Sequence, residues 1–461
     1  MSRKQFLWVL LNTAVVLFLI PLSMNGSISK KQESFSIRSH LISPVSDFFY
    51  SLYLPTSLKD ALASEKAILS ASNLNIKYQD SDAVSNDGDL LDSRIFNSYI
   101  SDDEYIRTLH VKNKKPDSTE GSSGTSNKGE AKFNNLVITH GFGNGIGFYF
   151  KNYEGLTQIP GIDLYSIDWL GMGLSSRPDF SIDRKLSIED QVKKTEEFFV
   201  ESLEKWRQNM KIEKMNLLGH SFGGYMSSLY ALKYPHRVNK LILESPVGVQ
   251  ETPKSIDEFL ETGVLPKSKL LNPDPSSAEE EQEALDDSLD KTKPPKSNEQ
   301  IIERFSTAPF YYRFLFKIFV RQWNNYGSPQ SLMRSFGRLG PMFTSKYASK
   351  FTTLSPDEIK LLADYLFHVS AQKGSGEYSI GVILKPFAFA RIPLINRLTT
   401  LQVPTYFLYG DRDWMDIDAG TELSEKIKPD SKVFKIPNAG HNMHLDNPNG
   451  FNEIVTEILS I

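Results

Sequence analysis

Leu217-Leu218-Gly219-His220-Ser221-Phe222-Gly223-Gly224-Tyr225 carries the pattern Gly-x-Ser-x-Gly between two segments of different character. Before it, Lys214-Met215-Asn216-Leu217-Leu218 is a short apolar run that predicts a buried strand. After it, residues 225–234 set Met226, Leu229, Tyr230 and Leu232 on a helical pattern that Pro235 stops. A serine on a sharp strand-to-helix turn has its hydroxyl pushed clear of the sheet. Gly219 and Gly223 fit such a turn because side chains there would clash. The N-terminus of the following helix offers backbone N–H groups to developing negative charge. Ser221 is therefore the candidate nucleophile.

Outward from this turn, strands and helices alternate. Residues 95–100 and 105–111 predict an antiparallel pair. Asn135-Leu136-Val137-Ile138-Thr139 predicts a buried strand that leaves through His140-Gly141-Phe142-Gly143-Asn144-Gly145. A Gly-rich turn leaving a central strand exposes backbone N–H groups, and those of Phe142 and Phe222 are the candidate oxyanion hole. Leu164-Tyr165-Ser166-Ile167-Asp168 is the next strand, with Asp168 expected to tie down the loop that follows. Ser187 and Asp190 open a long amphipathic helix through Trp206. Residues 238–243 form a further strand ending in Glu244-Ser245-Pro246. This alternation predicts an α/β fold: a mostly parallel central sheet with helices on both faces.

The pattern breaks near Val249 and resumes near Val403. A strand, Pro404-Thr405-Tyr406-Phe407-Leu408-Tyr409-Gly410, leads into Asp411-Arg412-Asp413-Trp414-Met415-Asp416. Residues 418–427 read as a helix and residues 432–436 as a strand. Pro437-Asn438-Ala439-Gly440-His441 follows, and a last helix covers residues 448–459. Serine, acid, histidine is the chain order of the α/β-hydrolase fold. His441 would take the Ser221 proton and return it to the leaving group, while Asp413 would hold the imidazole and stabilise its cation. Asp411, Asp416 and Glu244 are the rival acids, and His444 is the rival base.

The full 461 residues have room for one large domain with insertions, or for two domains. A net charge of −4 gives no nucleic-acid signature, and without cysteine there is no disulfide or thiolate chemistry. The eight histidines show no metal-ligand spacing, and a serine mechanism calls for neither metal nor cofactor. Residues 6–22 are almost wholly apolar, with Arg3 and Lys4 before them and no acid before Glu33. A retained membrane anchor, a cleaved signal peptide and a mitochondrial targeting segment all fit. The chain divides into this hydrophobic segment (1–34), a helical extension (35–94), a first core part (95–250), a lid insertion (251–402) and a second core part (403–461).

The insertion is sharply divided. Residues 272–300 are acidic and Pro-rich, which predicts disorder. Residues 304–356 contain no acid but carry many basic residues interleaved with aromatics. A helix over residues 310–323 would hold Arg313, Lys317 and Arg321. It reads either as an ordinary cap with an aromatic core or as a lid whose cations reach the phosphates of an anionic membrane.

Gly-His-Ser-Phe-Gly-Gly-Tyr, Tyr-Gly-Asp-Arg-Asp-Trp-Met-Asp and Ala-Gly-His-Asn-Met-His-Leu-Asp resemble the abhydrolase-domain lipid hydrolases, the group that includes the fungal cardiolipin-specific deacylase and lysophospholipid acyltransferase relatives. The resemblance covers residues 130–461 and implies an α/β-hydrolase fold with a helical lid. It implies a serine acylhydrolase that releases a fatty acyl chain from a phospholipid, with cardiolipin as the implied substrate. The alternatives are acyl transfer from acyl-CoA to a lysophospholipid and an inactive lipid-binding scaffold. It also implies a mitochondrial location, with the inner membrane favoured, against endoplasmic reticulum or lipid droplet. In such relatives the His441–Asp446 spacing is read as an acyl-transfer signature; on physical grounds Asp446, before Asn447-Pro448, is expected to cap the last helix.

Overall fold

A computed structural model describes residues 56–78, 90–114, 135–262, 310–335 and 337–461. The hydrophobic segment at 6–22 and the acidic stretch at 272–300 lie outside the described residues. The described strands are β1 (Ile76–Tyr78), β2 (Leu91–Tyr99), β3 (Tyr105–Asn113), β4 (Asn135–Thr139), β5 (Asp163–Ile167), β6 (Met215–His220), β7 (Val238–Glu244), β8 (Thr405–Gly410) and β9 (Ser431–Ile436). They form one sheet in the order β1-β2-β3-β5-β4-β6-β7-β8-β9. Only the β2–β3 and β3–β5 pairs are antiparallel. β1 and the start of β2 extend the sheet into the stretch that the sequence assigns to a helical extension, because β1 finds an edge on β2.

The helices used below are α1 (Leu58–Ser70), α2 (Tyr153–Leu156), α3 (Ile188–Asn209), α4 (Phe222–Lys233), α5 (Lys254–Thr262), α6 (Phe310–Asn324), α7 (Pro329–Ser335), α8 (Gly340–Ala348), α9 (Pro356–Ser370), α10 (Ser379–Ile383), α11 (Ile417–Lys426), α12 (Met443–Asp446) and α13 (Pro448–Ser460). β6 and β8 are buried along their whole length, as expected of strands covered on both faces. Their side chains alternate between two cores. Leu217 and Phe407 join Phe199, Leu203 and Trp206 of α3 and Tyr225 and Met226 of α4. Leu218 and Leu408 join Ile68 and Leu69 of α1, Leu362 and Tyr365 of α9, and Phe451 and Val455 of α13. Thus α1, in the stretch that the sequence assigns to a helical extension, packs into the second core. α9, inside the lid insertion by sequence, is part of the same core. Ser355 caps α9 in a full capping box with Glu358, which fixes where the helix begins.

Strand register positions the site. Thr139 pairs with Gly219, His220 with Glu244, Glu244 with Leu408, and Gly410 with Ile436. The C-terminal ends of β4, β6, β7, β8 and β9 therefore finish level, at the edge where open α/β sheets carry ligands. The backbone continues this past the strands: Ser245 N donates to Leu408 O at 2.9 Å and Asp411 N to Ile436 O at 3.0 Å.

Candidate active site

Ser221 sits between β6 and α4 with φ 54° and ψ −114°. Non-glycine residues rarely occupy positive φ, and such strain persists only where the surroundings impose it. Here they do. Ser221 N donates to Glu244 O at 2.8 Å, and Ser221 O accepts from Tyr225 N at 3.0 Å. The flanking glycines are needed for close approach. A Cβ on Gly223 would lie 2.5 Å from Thr139 O, and one on Gly219 would lie 2.5 Å from Gly223 O.

His441 leaves β9 through Pro437-Asn438-Ala439-Gly440. Its Nε2 lies 3.0 Å from Ser221 Oγ. Its Nδ1 faces Ser245 Oγ at 3.0 Å and Asp413 Oδ1 at 3.4 Å. The Asp413 side chain is buried; its Oδ1 accepts from Met415 N at 3.0 Å, and its Oδ2 accepts from the Ser245 hydroxyl. Trp414 packs its ring 5.2 Å from the His441 ring, closing one side. The structure thus brings Ser221, His441 and Asp413 together.

The rival acids are all engaged elsewhere. Asp416 caps α11 by accepting from Asp418 N and Ala419 N. Asp411 Oδ1 accepts from Ala439 N at 3.1 Å. Glu244 is fully buried and takes His444 Nδ1 at 2.6 Å and Tyr149 O–H at 2.7 Å. His444, the rival base, is buried beneath the site and stacks on Tyr149. Burial alone would raise the Glu244 carboxyl. The adjoining His444, with the hydrogen bonds from His444 and Tyr149, outweighs burial and holds it below its ordinary range. His220, Glu244 and His444 offer ligand atoms within 4.8 Å of one another. Both Glu244 oxygens have hydrogen-bond partners in this group, while among the described residues His220 Nδ1 and His444 Nε2 have none.

The turn after β4 lies against the nucleophile: a Cβ on Gly141 would stand 3.2 Å from Ser221 Cβ. Phe142, on the turn after β4, and Phe222, next to Ser221, meet edge to face with ring centroids 6.3 Å apart. His140 fixes the base of this turn. Its Nε2 accepts from Trp169 N at 3.1 Å, and its own carbonyl accepts from Trp169 Nε1–H at 3.1 Å. Burial pushes the His140 imidazole down to about 4, so it is neutral and can accept. Asp168 does not touch Ser221. It accepts from Ile146 N at 2.7 Å and from Leu174 N, tying two loops together, and burial pushes it up to about 6.

Asp446 corrects an expectation. It does not cap the last helix; Asn447 does, accepting from Gly450 N at 3.1 Å. Asp446 Oδ2 instead accepts from Gly440 N at 2.9 Å, across the loop that carries His441. It ends the short α12, so its side chain turns back toward that loop, while Asn447 takes the place before Pro448. Lys317 and Arg321 of α6 are exposed, and Arg313 belongs to the same helix. Phe319 and Val320 point inward, and Trp323 Nε1–H donates to Leu384 O at 2.7 Å. The described part of α6 thus buries apolar side chains and presents basic ones.

A family model of the alpha/beta hydrolase fold matches residues 134–448. The chain belongs to the α/β-hydrolase fold family. It is 30% identical over 411 residues to a 1-acylglycerol-3-phosphate O-acyltransferase of Arabidopsis thaliana, covering 87% of this chain and 81% of that one. It is 32% identical over 328 residues to the Rattus norvegicus 1-acylglycerol-3-phosphate O-acyltransferase ABHD5, covering 70% and 76%. It is 30% identical over 329 residues to the Mus musculus (lyso)-N-acylphosphatidylethanolamine lipase, covering 70% and 78%. Within this hydrolase family the chain is thus similar both to proteins named as acyltransferases and to proteins named as lipases.

Two features of this hydrolase site were not singled out from sequence. One is the Tyr149–Glu244–His444 group under the site. The other is Ser245, which stands between the histidine and its acid. The available signal is position: Glu244 ends β7 and Ser245 follows it, at the sheet edge where Ser221 emerges.

Proposed function

We propose that the protein is a serine acylhydrolase that releases a fatty acyl chain from a phospholipid through an acyl-enzyme. The observation that carries this reading is the 3.0 Å contact between His441 Nε2 and Ser221 Oγ on a positive-φ turn. Ser221 Oγ attacks the ester carbonyl while its proton passes to His441 Nε2. The N–H groups of Phe142 and Phe222 receive the negative charge on the carbonyl oxygen. The tetrahedral intermediate expels the lysolipid oxygen, which takes the proton from His441. Water then attacks the acyl-enzyme with His441 as base, and the fatty acid leaves. The reading extends to an anionic membrane surface met by Arg313, Lys317 and Arg321, with cardiolipin as substrate and mitochondria as location. What supports this extension is the acid-free basic stretch and the resemblance of the three motifs.

A second reading has its own support: relatives named 1-acylglycerol-3-phosphate O-acyltransferase. The same acyl-enzyme would form from acyl-CoA and be attacked by a lysophosphatidic acid hydroxyl in place of water. Lipid mass spectrometry after incubation with mixed phospholipids, with and without acyl-CoA, separates the two. Fatty acid and lysolipid appearing without acyl-CoA support hydrolysis. Consumption of lysophosphatidic acid only with acyl-CoA overturns it in favour of transfer.

A further inference from the structure

The acid and base of this site do not meet directly. Asp413 Oδ1 is 3.4 Å from His441 Nδ1, long for an N–H···O bond, and is already taken by Met415 N–H. The closer partner of Nδ1 is Ser245 Oγ at 3.0 Å. The same oxygen is bonded to Asp413 Oδ2. Ser245 is fully buried and follows β7 with φ 48°. Its main chain is pinned there by the bond from its N–H to Leu408 O. A strained backbone therefore aims a buried hydroxyl between two side chains of the site.

The inventory of protons makes this arrangement directional. An ionised carboxylate only accepts, so the single hydrogen of the Ser245 hydroxyl goes to Asp413. The oxygen then has only lone pairs to offer His441, so Nδ1 carries the hydrogen. Nε2 is left with its lone pair facing Ser221. One hydroxyl thereby sets both the plane of the acid and the tautomer of the base.

We propose that Ser245 is a positioning residue of the hydrolytic site, bridging His441 Nδ1 to Asp413 and passing the stabilisation of the carboxylate to the imidazolium. The proposal rests on the serine-hydrolase reading above. A hydroxyl that served only to satisfy itself would have had backbone carbonyls for the purpose, as the Ser175 hydroxyl does on Asp168 O. Ser245 forms its bonds with the two residues whose relation decides the basicity of Nε2. The position also suits a carboxylate, because Asp tolerates positive φ better than most residues and would reach Nδ1 from the same strand end.

The test uses the full chain, a soluble p-nitrophenyl acyl ester and a fluorophosphonate probe, with thermal unfolding to show that each variant is folded. Ser245→Ala is expected to lower kcat about tenfold or more while KM stays within about twofold, since the lost bond acts in the charged transition state. Asp413→Ala is expected to lose more, and adding Ser245→Asp to it is expected to recover at least about tenfold. A Ser245→Ala protein with unchanged kcat, or a folded double variant no better than Asp413→Ala, overturns the proposal. If the wild-type protein neither turns over ester nor labels, the serine-hydrolase reading itself fails and takes this one with it. If wild type labels and Ser245→Ala matches it, only the bridge is lost.

Discussion

His220 Nε2 lies 3.0 Å from the backbone oxygen of His441 and donates to it, so the residue before Ser221 holds the loop that carries its base. Burial pushes the His220 imidazole down to about 3, and a neutral ring needs only the one acceptor it has found. Among the described residues its Nδ1 has no hydrogen-bond partner, and it lies 2.6 Å from where a Gly141 Cβ would be. One side chain thus touches the turns after β4, β6 and β9. Replacing His220 by Ala is expected to lower kcat tenfold or more through a loosened His441, at a stability cost of about 1–3 kcal/mol. Steady-state kinetics with denaturant unfolding checks both numbers. Full activity would show that the His441 loop holds itself.

Gly223→Ala tests the close approach of α4 to the turn after β4. The added methyl would press on Thr139 O and His140 O, both backbone atoms that cannot swing aside. The expected cost is about 1–3 kcal/mol of stability. The expected loss of activity exceeds that of a surface change, because the displaced turn carries Phe142. Urea unfolding and ester turnover measured on the same preparation check it.

His140 links stability to pH. Its folded value of about 4 lies below the ordinary 6.5, so the unfolded chain takes up a proton there first. Its contribution is complete above pH 6.5 and is lost as pH falls toward 4, by about 3 kcal/mol from the size of the shift. Asp168 acts in the opposite sense. Its value is raised to about 6, so its contribution is complete below its ordinary 3.8 and is lost as pH rises through 6. His140→Gln is therefore expected to be less stable at pH 7.5 yet to lose less between pH 6.5 and 4. Parallel stability–pH curves for variant and parent would contradict the assignment.

The basic residues of α6 are tested together. Changing Arg313, Lys317 and Arg321 to Ala is expected to weaken binding to anionic vesicles by about 1 kcal/mol per charge. Binding to neutral vesicles should hardly change, and added salt should narrow the gap. Vesicle flotation at two salt concentrations reads this out. Equal binding of parent and variant to anionic vesicles would remove the membrane from the reading.

What could be read from the sequence follows from how local each signal is. Ser221 was legible because its turn needs glycines at fixed offsets, and the strand and helix on either side carry their own periodicities. His441 was legible because it follows a strand through Ala439-Gly440. Asp413 had three rivals that no local rule could remove; the bonds of Asp411, Asp416 and Glu244 to other partners remove them. Asp446 misled because Asn-Pro after an acid looks like a cap, and only the fold shows Gly440 N within its reach. Ser245 carries no local signal, since its role depends on the level ending of β7, β8 and β9. The place of α9 was hidden in the same way: its apolar face fits a cap or a core equally well until Tyr365 is seen bonded to Gly147 N.

The most direct test of the central claim is intact-protein mass spectrometry after exposure to a fluorophosphonate, followed by peptide mapping. A single covalent adduct on Ser221 is expected, absent from a folded Ser221→Ala variant. Folded wild-type protein that stays unmodified, or an adduct that persists in Ser221→Ala, would contradict it.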